Sequence, residues 1–519
     1  MFVLTIIYII AALWLAVYAF NAYMLTFLYL KSKRRIKVEQ FARASKKVTN
    51  PLQPAHQLSN DLPTITVQLP IFNEALVVTR LVEAIVNLDY PADRIQIQLL
   101  DDSTDHTAEI ARTCVAQYKQ QGVNIDWIHR RNRVGFKAGA LENGLKSATG
   151  EFIAIFDADF VPNPDFLLRT IPHLITQPQA GFVQTRWGHL NRDYSSLTAA
   201  QALAIDGHFN VEQTARNRSG LLMNFNGTAG VWRRTCIDSA GGWQHDTLCE
   251  DFDLSYRAQL KDWQVLYLPD VVAPAEIPPQ LAAFKRQQFR WAKGSIQCLK
   301  KLGRTVLAAE LSWFTKLQAM IHLSNYMVHP LMVILTLITP LLMLYGGTDN
   351  IRFPLIYLSL GTMGPPLMYL VTQIALYPDR WRKHYRAMPL LALVGGGVAL
   401  SNSKAVVEAF LGVGSMFRRT PKFNVAASGD QWQKSAYRLP LSWLAVAEFG
   451  LCLYSLWGAW LAATNGHIFA VPFILLYALS FGYVGGQGVW EARHDLYAWL
   501  MAQLYPNRTP SSTSVRRSS

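Results

Sequence analysis

Three clusters of acidic residues precede a short strip, QQFRW, that carries an arginine and a tryptophan. The clusters are Asp101 with Asp102 in LLDDSTD, Asp157 with Asp159 in IFDAD, and Glu250 with Asp251 in LCEDFD. Two carboxylates one residue apart suit a divalent cation that carries a diphosphate. A further carboxylate far along the chain can then act as a general base. The pattern therefore indicates group transfer from a diphosphate donor.

The acidic pair Asp157 and Asp159 follows the apolar segment FIAIF. Facing carboxylates repel each other unless a cation lies between them, and that cation would also neutralise a leaving diphosphate. Lys137, in GFKAGAL at the start of a predicted helix, is a candidate phosphate contact. The alternative is that Lys137 is a solvent-exposed lysine that contacts no ligand.

The elements that precede the acidic clusters must position them. Apolar strands alternate with amphipathic helices from Pro63 to about Tyr267, which predicts a mostly parallel, doubly wound α/β sheet. Ligands bind such sheets at the carboxyl ends of the strands. The predicted strands are Ile65–Leu69, Ile95–Leu100, Ile125–His129, Phe152–Phe156 and Gly181–Gln184. The predicted helices are Ala75–Leu88, Thr107–Gln121, Lys137–Ser147 and Asp165–Thr176.

The composition is typical of a membrane protein with a polar middle. Of the 519 residues, 51% are hydrophobic, and apolar runs crowd the start and the last third. The net charge of +14 could suggest nucleic acid, but the basic residues gather beside apolar runs, as in multi-span proteins. No nucleic-acid partner is therefore expected. The five cysteines are scattered without a C-x-x-C pair, so neither a disulfide framework nor a zinc site is indicated.

Five apolar segments are long enough to cross a bilayer. They are Phe2 to about Leu30, Leu323–Tyr345, Phe353–Tyr377, Leu441–Ala463 and Phe469–Trp490. A sixth, Met388–Gly414, contains a glycine run and has basic segments at both ends, which predicts a re-entrant or interfacial helix pair. The predicted order is a transmembrane helix (1–30), a basic connector (31–62), the α/β domain (63–279), interfacial helices with QQFRW (280–316), two crossings (317–378), re-entrant helices and a loop (387–438), two crossings (439–491) and a cytoplasmic, partly disordered tail (492–519).

The order of these residues resembles the D, DxD, ED, QxxRW signature of the processive family 2 glycosyltransferases. These are membrane enzymes related to cellulose, chitin and hyaluronan synthases. The region from Pro63 to Leu302 is most similar to the cellulose synthase-like A and C branch, which makes mannan, glucomannan and xyloglucan backbones. The matching strips are LLDDSTD, RNRVGFKAGAL, FIAIFDADFVPNPDFLLRTIPHL, VQTRW, DGHFNVEQ, FNGTAGVWRR and AGGW. The resemblance implies a Rossmann-like glycosyltransferase-A domain inserted between transmembrane helices.

On the donor side, the resemblance implies that Asp101 and Asp102 bind the nucleoside part of a nucleotide sugar. A helix cap for the following residues is the alternative. The resemblance also implies that Asp157 and Asp159 hold Mg²⁺ or Mn²⁺, with Asp157 close to the donor as well.

On the acceptor side, the resemblance makes Asp251 the base that deprotonates the attacking hydroxyl, with Glu250 beside it. Direct displacement then inverts the anomeric centre without a protein nucleophile. The family often has threonine before this pair, where this chain has Cys249.

The strip QQFRW supplies three further substrate-binding residues, Gln287, Arg290 and Trp291. Arg290 can stabilise the diphosphate by bidentate hydrogen bonding, and Trp291 offers a face for a sugar ring. The alternative for the strip is an interfacial helix with a snorkelling arginine and an anchoring tryptophan.

Two further strips are expected to contact the substrates. FNGTAGVWR should line the acceptor site, with Trp232 beneath the sugar chain. The strip Phe417–Lys422 resembles the F-x-V-T-x-K gating loop of cellulose synthase, with Arg419 where that pattern has valine. Thr420 and Lys422 would then close over the donor. A basic loop that follows the positive-inside rule is the alternative.

The sequence thus predicts a multi-pass enzyme of the inner cell membrane with a cytoplasmic catalytic domain. It would use UDP-glucose or GDP-mannose to extend a β-linked glucan or mannan with inversion, and pass the chain through its own spans. One alternative is a glycolipid synthase that transfers a single glucose to diacylglycerol or ceramide. The other is a non-enzymatic transporter that only binds nucleotide sugar. Membrane lipids are expected partners in each case.

Overall fold

A seven-stranded sheet lies at the centre of the computed structural model, which describes residues 2–45, 62–345, 360–414, 417–425 and 429–504. The strands are β1 Ile65–Ile71, β2 Ile95–Asp101, β3 Ile125–His129, β4 Phe152–Ile155, β5 Ala180–His189, β6 Gly230–Arg233 and β7 Gln264–Ala275. Their order across the sheet is β3-β2-β1-β4-β6-β5-β7. β6 runs antiparallel to both of its neighbours, and the other adjacent pairs are parallel. The predicted fold class, a mostly parallel α/β sheet, is confirmed.

The helices precede, connect and follow the strands. They are α1 Phe2–Ser45, α2 Val78–Val86, α3 Thr107–Gln120, α4 Phe136–Leu145, α5 Phe166–Thr176, α6 Ser196–Gly207, α7 Thr214–Arg218, α8 Arg234–Ser239, α9 Glu250–Gln259, α10 Leu281–Ala308, α11 Trp313–Leu323, α12 Val328–Leu344, α13 Gly364–Leu376, α14 Trp381–Tyr385, α15 Met388–Gly397, α16 Ala399–Phe410, α17 Leu444–Thr464 and α18 Val471–Leu504. A π-helix, His208–Gln213, joins α6 to α7.

Both faces of the sheet are covered by apolar side chains. Successive strand residues point to opposite faces, so Ile153 and Ile155 enter one core while Phe152 and Ala154 enter the other. α2 buries Val78, Leu81, Val82 and Ile85, which form a single helix face because they repeat at helical spacing. This two-sided burial explains why β4 is a continuous apolar run, FIAI.

Parallel pairing brings the first two acidic clusters to one rim of the sheet. Ile71 at the end of β1 is in register with Asp101 at the end of β2. On the other side of β1, Gln68 is in register with Ile155, two residues before Asp157. The carboxyl ends of the three strands therefore meet where the sequence predicts a ligand site.

Four described helices are long and apolar enough to cross a membrane, namely Phe2–Arg34, Asn325–Leu344, Leu444–Thr464 and Ile468–Arg493. They overlap four of the five predicted crossings. The remaining crossing, Phe353–Tyr377, begins outside the described residues, and its described part includes α13. Trp381–Gly397 and Ala399–Phe410 pass the same test together but are bent by 43° at their junction. The re-entrant interpretation of that region stays a prediction.

The first helix is longer than predicted. α1 continues past residue 30 to Ser45, so the first part of the predicted connector is helical. The sequence from Lys31 to Ser45 contains neither glycine nor proline, the two residues that most strongly interrupt helices. The rest of the connector lies mostly outside the described residues.

Helix α10, which carries QQFRW, is attached to three other helices by acidic side chains. Glu491 of α18 accepts the backbone N–H of Leu281 at 3.0 Å, at the start of α10. Glu448 of α17 pairs with Lys285. Further along, Glu408 of α16 pairs with the fully buried Lys293 at 2.8 Å. The helix is thus fixed along its length against the C-terminal helices.

Candidate active site

A cleft at the carboxyl rim of the sheet contains all but two of the residues predicted to act on substrate. Those that line it are Asp102, Lys137, Asp157, Asp159, Glu250, Asp251, Gln287, Arg290, Trp291, Thr420 and Lys422. They come from the residues after β2 and β4, the starts of α4 and α9, the middle of α10 and the loop 417–425. The other two, Asp101 and Trp232, lie elsewhere.

Asp101 is fully buried and already bonded within the protein. Its Oδ1 accepts the N–H of Ser103 at 2.8 Å, and its Oδ2 accepts the indole N–H of Trp127 at 3.0 Å. His129 Nδ1 lies 3.2 Å from the same Oδ2. The two oxygens therefore link the loop after β2 to β3, and Asp101 does not line the cleft where the sequence predicts its contact with the donor. Its neighbour Asp102 lines the cleft.

Trp232 belongs to the core and not to the acceptor site. It lies in β6, is 0% exposed, and its ring stacks on Phe182 with centroids 4.1 Å apart. Phe225 contacts the same indole edge to face. The expected position beneath the sugar chain is therefore wrong, because β6 inserts between β4 and β5 and turns this side chain into the sheet's core.

The carboxylates of the DxD pair are each held by a lysine. Lys137 Nζ lies 2.6 Å from Asp157 Oδ1, and Lys422 Nζ lies 2.5 Å from Asp159 Oδ2. Asp159 Oδ1 is buried and has no hydrogen-bond partner among the described residues. Burial would lower the pKa of Lys137, but Asp157 and Glu250 raise it above its ordinary value. The two ammonium groups therefore neutralise the carboxylates of the DxD pair in this structure.

The Glu250–Asp251 pair opens α9 inside the cleft. Burial, reinforced by the neighbouring Glu250 carboxylate, raises the pKa of Asp251 to about 7. Burial also raises the pKa of Glu250, although Lys137 opposes the shift. Asp251 Oδ1 accepts the N–H of Phe252 at 2.8 Å, and the other oxygen lies against Gly227. A Cβ at Gly227 would come 2.9 Å from Oδ2, so only glycine leaves room for this carboxylate.

The loop 417–425 covers the cleft opposite α10. The Arg290 guanidinium lies 4.7 Å from the ring centroid of Phe417. Behind the loop, the buried Glu276 accepts the N–H of Phe423 at 2.8 Å and pairs with Arg80 at 3.3 Å. These contacts keep Lys422 against Asp159. The predicted gating strip thus lies over the DxD pair in this structure.

Several residues that line the cleft were not predicted individually, although Asn226, Phe417 and Arg419 belong to strips that were expected to contact the substrates. These residues are Glu74, Arg133, Asn226, Phe417 and Arg419. Burial raises the pKa of Glu74 to about 7, although Arg419 and Lys422 oppose the shift. Arg133 lies in the matching strip RNRVGFKAGAL, whereas Glu74, just after β1, lies in none of the matching strips. Spacing alone did not indicate which members of those strips face the cleft.

Residues 63–294 match the family model described as glycosyltransferase like family 2. Glucomannan 4-beta-mannosyltransferase 2 of Arabidopsis thaliana is 35% identical over 382 residues, which is 70% of this chain and 70% of that protein. Glucomannan 4-beta-mannosyltransferase 1 of Oryza sativa subsp. japonica is 33% identical over 442 residues, which is 82% of this chain and 83% of that protein. A rice protein described as a probable glucomannan 4-beta-mannosyltransferase 7 is 42% identical over 254 residues, but the match spans 43% of its length.

Among solved structures, a mannosyltransferase from Pyrobaculum calidifontis in complex with GDP-Man and Mn²⁺ is similar to this chain. The similarity covers 78% of this chain and 100% of that one, with a TM-score of 0.50 and 19% sequence identity. At that identity the similarity supports the glycosyltransferase-A-like fold.

Proposed function

Since the chain belongs to family 2 of the glycosyltransferases, we propose that it extends a β-linked mannan-type polysaccharide from a nucleotide-activated hexose. Its family makes it a hexosyltransferase. The proposal for the donor is GDP-mannose, because the relatives that it matches over most of their length are named as 4-beta-mannosyltransferases. UDP-glucose is the second candidate, as the sequence alone predicts.

The observation that carries the proposal is the buried Glu250–Asp251 pair in a cleft that also holds Lys137 and Arg290. A general base works best when its pKa lies near the operating pH, and the pKa of Asp251 is raised to about 7. Asp251 Oδ2 faces the cleft wall at Gly227 and can take the proton of an acceptor hydroxyl. The freed oxygen would attack the anomeric carbon as the nucleoside diphosphate leaves, which inverts that centre.

Charge on the leaving diphosphate would be met by two cationic side chains. Arg290 can donate two parallel hydrogen bonds to phosphate oxygens. Lys137 stays protonated because of its acidic neighbours and can donate to the same group. Preorganised donors of this kind stabilise charge that develops in the transition state.

Asp157 and Asp159 are the proposed ligands of Mg²⁺ or Mn²⁺. The unpartnered, buried Asp159 Oδ1 fits this role, since a buried carboxylate oxygen without a partner is costly. Within the described residues, no group of three or more histidine, cysteine or acidic side chains could hold a metal alone. Two carboxylates are enough when a nucleotide diphosphate supplies further oxygens. The ion would add Lewis-acid stabilisation of the leaving group, and Lys422 would have to release Asp159.

The membrane part of the proposal rests on the four long apolar helices. We propose that the enzyme is processive, lies in the inner cell membrane with its cleft on the cytoplasmic side, and binds membrane lipids through these helices. The relatives named as glucomannan 4-beta-mannosyltransferases favour a polysaccharide acceptor over a lipid acceptor. A glycolipid synthase remains the second candidate.

The purified protein should convert labelled GDP-mannose into a long β-linked polymer. Separate incubations with GDP-mannose and UDP-glucose, followed by size separation and linkage analysis, identify the donor and the product. A single sugar on an extractable lipid would replace this proposal with the glycolipid synthase. Failure to consume either donor would contradict both, and would favour the transporter.

Turnover should rise with pH between about 6 and 8. The base acts in its ionised form, and the raised pKa of Asp251 means that this form appears only as the pH passes through about 7. Glu250 contributes to that shift, so Glu250→Gln should move the rising limb to lower pH. The measurement is turnover at saturating donor across this range. A flat profile for the unmodified enzyme would contradict the assignment of Asp251 as base.

A further inference from the structure

The π-helix His208–Gln213 directs a chain of polar contacts toward the cleft. Arg216 Nε donates to Glu212 Oε1 at 3.0 Å, and His208 Nδ1 lies 3.0 Å from Glu212 Oε2. The other ring nitrogen, His208 Nε2, lies 2.9 Å from Asn226 Oδ1. Single π-helical turns are rare and occur frequently at functional sites. Here the turn links a buried ion pair to Asn226, which lines the cleft.

The orientation of the Asn226 amide follows from its neighbours. Gln213 Nε2 donates to the backbone oxygen of Asn224 at 3.1 Å and to its Oδ1 at 3.2 Å. Asn224 therefore presents its amide nitrogen to Asn226, and donates to Asn226 Oδ1 at 3.0 Å. His208 Nε2 lies 2.9 Å from the same oxygen and 3.3 Å from Gln213 Nε2. It donates to Asn226 when the imidazole carries both protons, because Nδ1 already donates to the Glu212 carboxylate. Since Oδ1 accepts from Asn224, the amide nitrogen of Asn226 is the group left for a ligand.

The Asn226 amide nitrogen is buried and, among the described residues, has no hydrogen-bond partner. An unpaired buried donor costs about 1–3 kcal/mol, which a bound acceptor atom would recover. The carbonyl oxygen of the next residue, Gly227, accepts a hydrogen bond from Lys137 Nζ at 2.9 Å, and Gly227 also lies against Asp251. The unpaired donor therefore belongs to the residue next to Gly227, which contacts the proposed base, and both residues line the same cleft as Asp251.

We propose that Asn226 donates a hydrogen bond from Nδ2 to a hydroxyl of the acceptor sugar, and that His208 and Glu212 are positioning residues that fix its amide. The proposal rests on the function proposed above and deepens it. Burial would raise the pKa of Glu212, but Arg216 and His208 lower it below its usual range, so the carboxylate stays ionised and holds the histidine. A site built to bond a hydroxyl discriminates strongly once that bond is lost.

The test measures how the sugar of each consumed GDP-mannose is divided between polymer and free mannose. Asn226→Asp keeps the shape and the oxygen but removes the N–H donor, and Asn226→Ala removes the amide without adding charge. Both should lower the ratio of polymer to free mannose from labelled GDP-mannose at least about tenfold, with donor affinity changed less than about twofold. Donor hydrolysis should continue, because water can attack the donor without the hydrogen bond by which Asn226 would hold an acceptor hydroxyl. His173→Ala, an exposed histidine on α5, is the matched control for the histidine variants.

Variants of His208 and Glu212 test their role as positioning residues separately. His208→Ala should shift the ratio in the same direction as Asn226→Ala, and the double variant should lose no more than Asn226→Ala alone, because His208 acts through Asn226. Glu212→Gln should give a smaller shift of the same sign. An unchanged ratio in both Asn226 variants, or additive losses in the double variant, would overturn the proposal. An unmodified enzyme that consumes no nucleotide sugar would instead contradict the proposed function.

Discussion

Replacement of Asp251 by asparagine should lower turnover at least about 100-fold, while nucleotide-sugar affinity stays within about threefold. Asparagine keeps the size of the side chain but cannot take the proton of the acceptor hydroxyl. The donor should still bind, because Lys137, Arg290 and the DxD pair are unchanged. Turnover at saturating donor and the dissociation constant for the donor, measured on the same preparation, separate the two effects.

The matched control is Asp246→Asn, which makes the same chemical change at an exposed carboxylate five residues away. Asp246 pairs with Lys301 at 2.7 Å on the surface, and surface ion pairs contribute about 1 kcal/mol or less. This control should retain unmodified turnover. An Asp251→Asn enzyme that loses donor binding but keeps turnover at saturation would move Asp251 to the donor site.

Replacement of Asp159 by asparagine should abolish transfer and metal-dependent donor binding. A carboxylate-to-metal contact contributes several kcal/mol to transition-state stabilisation, so we expect a loss of at least about 100-fold. The variant also removes the partner of Lys422, which releases the loop 417–425 from the DxD pair. Titration of GDP in the presence and absence of Mn²⁺ measures the binding part of the effect.

Asp165→Asn is the control, since Asp165 follows the same strand but its side chain is half exposed and pairs with Arg169 at 3.7 Å. That variant should bind GDP with the same dependence on Mn²⁺ as the unmodified protein. Treatment of the unmodified enzyme with a chelator should reproduce the loss seen in Asp159→Asn. Full activity after chelation would refute the assignment of Asp157 and Asp159 to a metal.

The first four strands could be predicted from sequence because each is short, rich in isoleucine and other apolar residues, and followed by polar residues. The predicted β3 coincides with the observed Ile125–His129, and the other three predicted ends differ by one or two residues. The antiparallel strand β6 was missed, since GVWR is too short for its alternation to stand out. Trp232 lies in β6, between β4 and β5, and this position in the sheet places its side chain in the core. An aromatic residue in a matching strip has the same sequence signal whether it faces a ligand or the core.

The acidic clusters show a similar limit. LLDDSTD predicts that a carboxylate reaches the cleft, but two adjacent aspartates at a strand end point in different directions. Asp102 lines the cleft and forms two hydrogen bonds with Arg130, at 2.7 and 2.5 Å, whereas Asp101 turns into the protein. The contacts of Asn226 were equally hidden, because His208 and Glu212 lie 14 or more residues away along the chain. Such contacts depend on tertiary structure and leave no local pattern.

The three acidic contacts of α10 connect Gln287 and Arg290 in the cleft to the long apolar helices α17 and α18 and to α16. Two ion pairs and one hydrogen bond from a backbone N–H to a carboxylate link α10 to α16, α17 and α18, so we expect these helices to move together. In a bilayer, helices such as α17 and α18 adjust their tilt to match the thickness of the lipid. A change of tilt would therefore displace Gln287 and Arg290 relative to β4. If the proposed membrane location is right, the acyl chains of the lipid would through this linkage help to set the distance between α10 and the DxD pair.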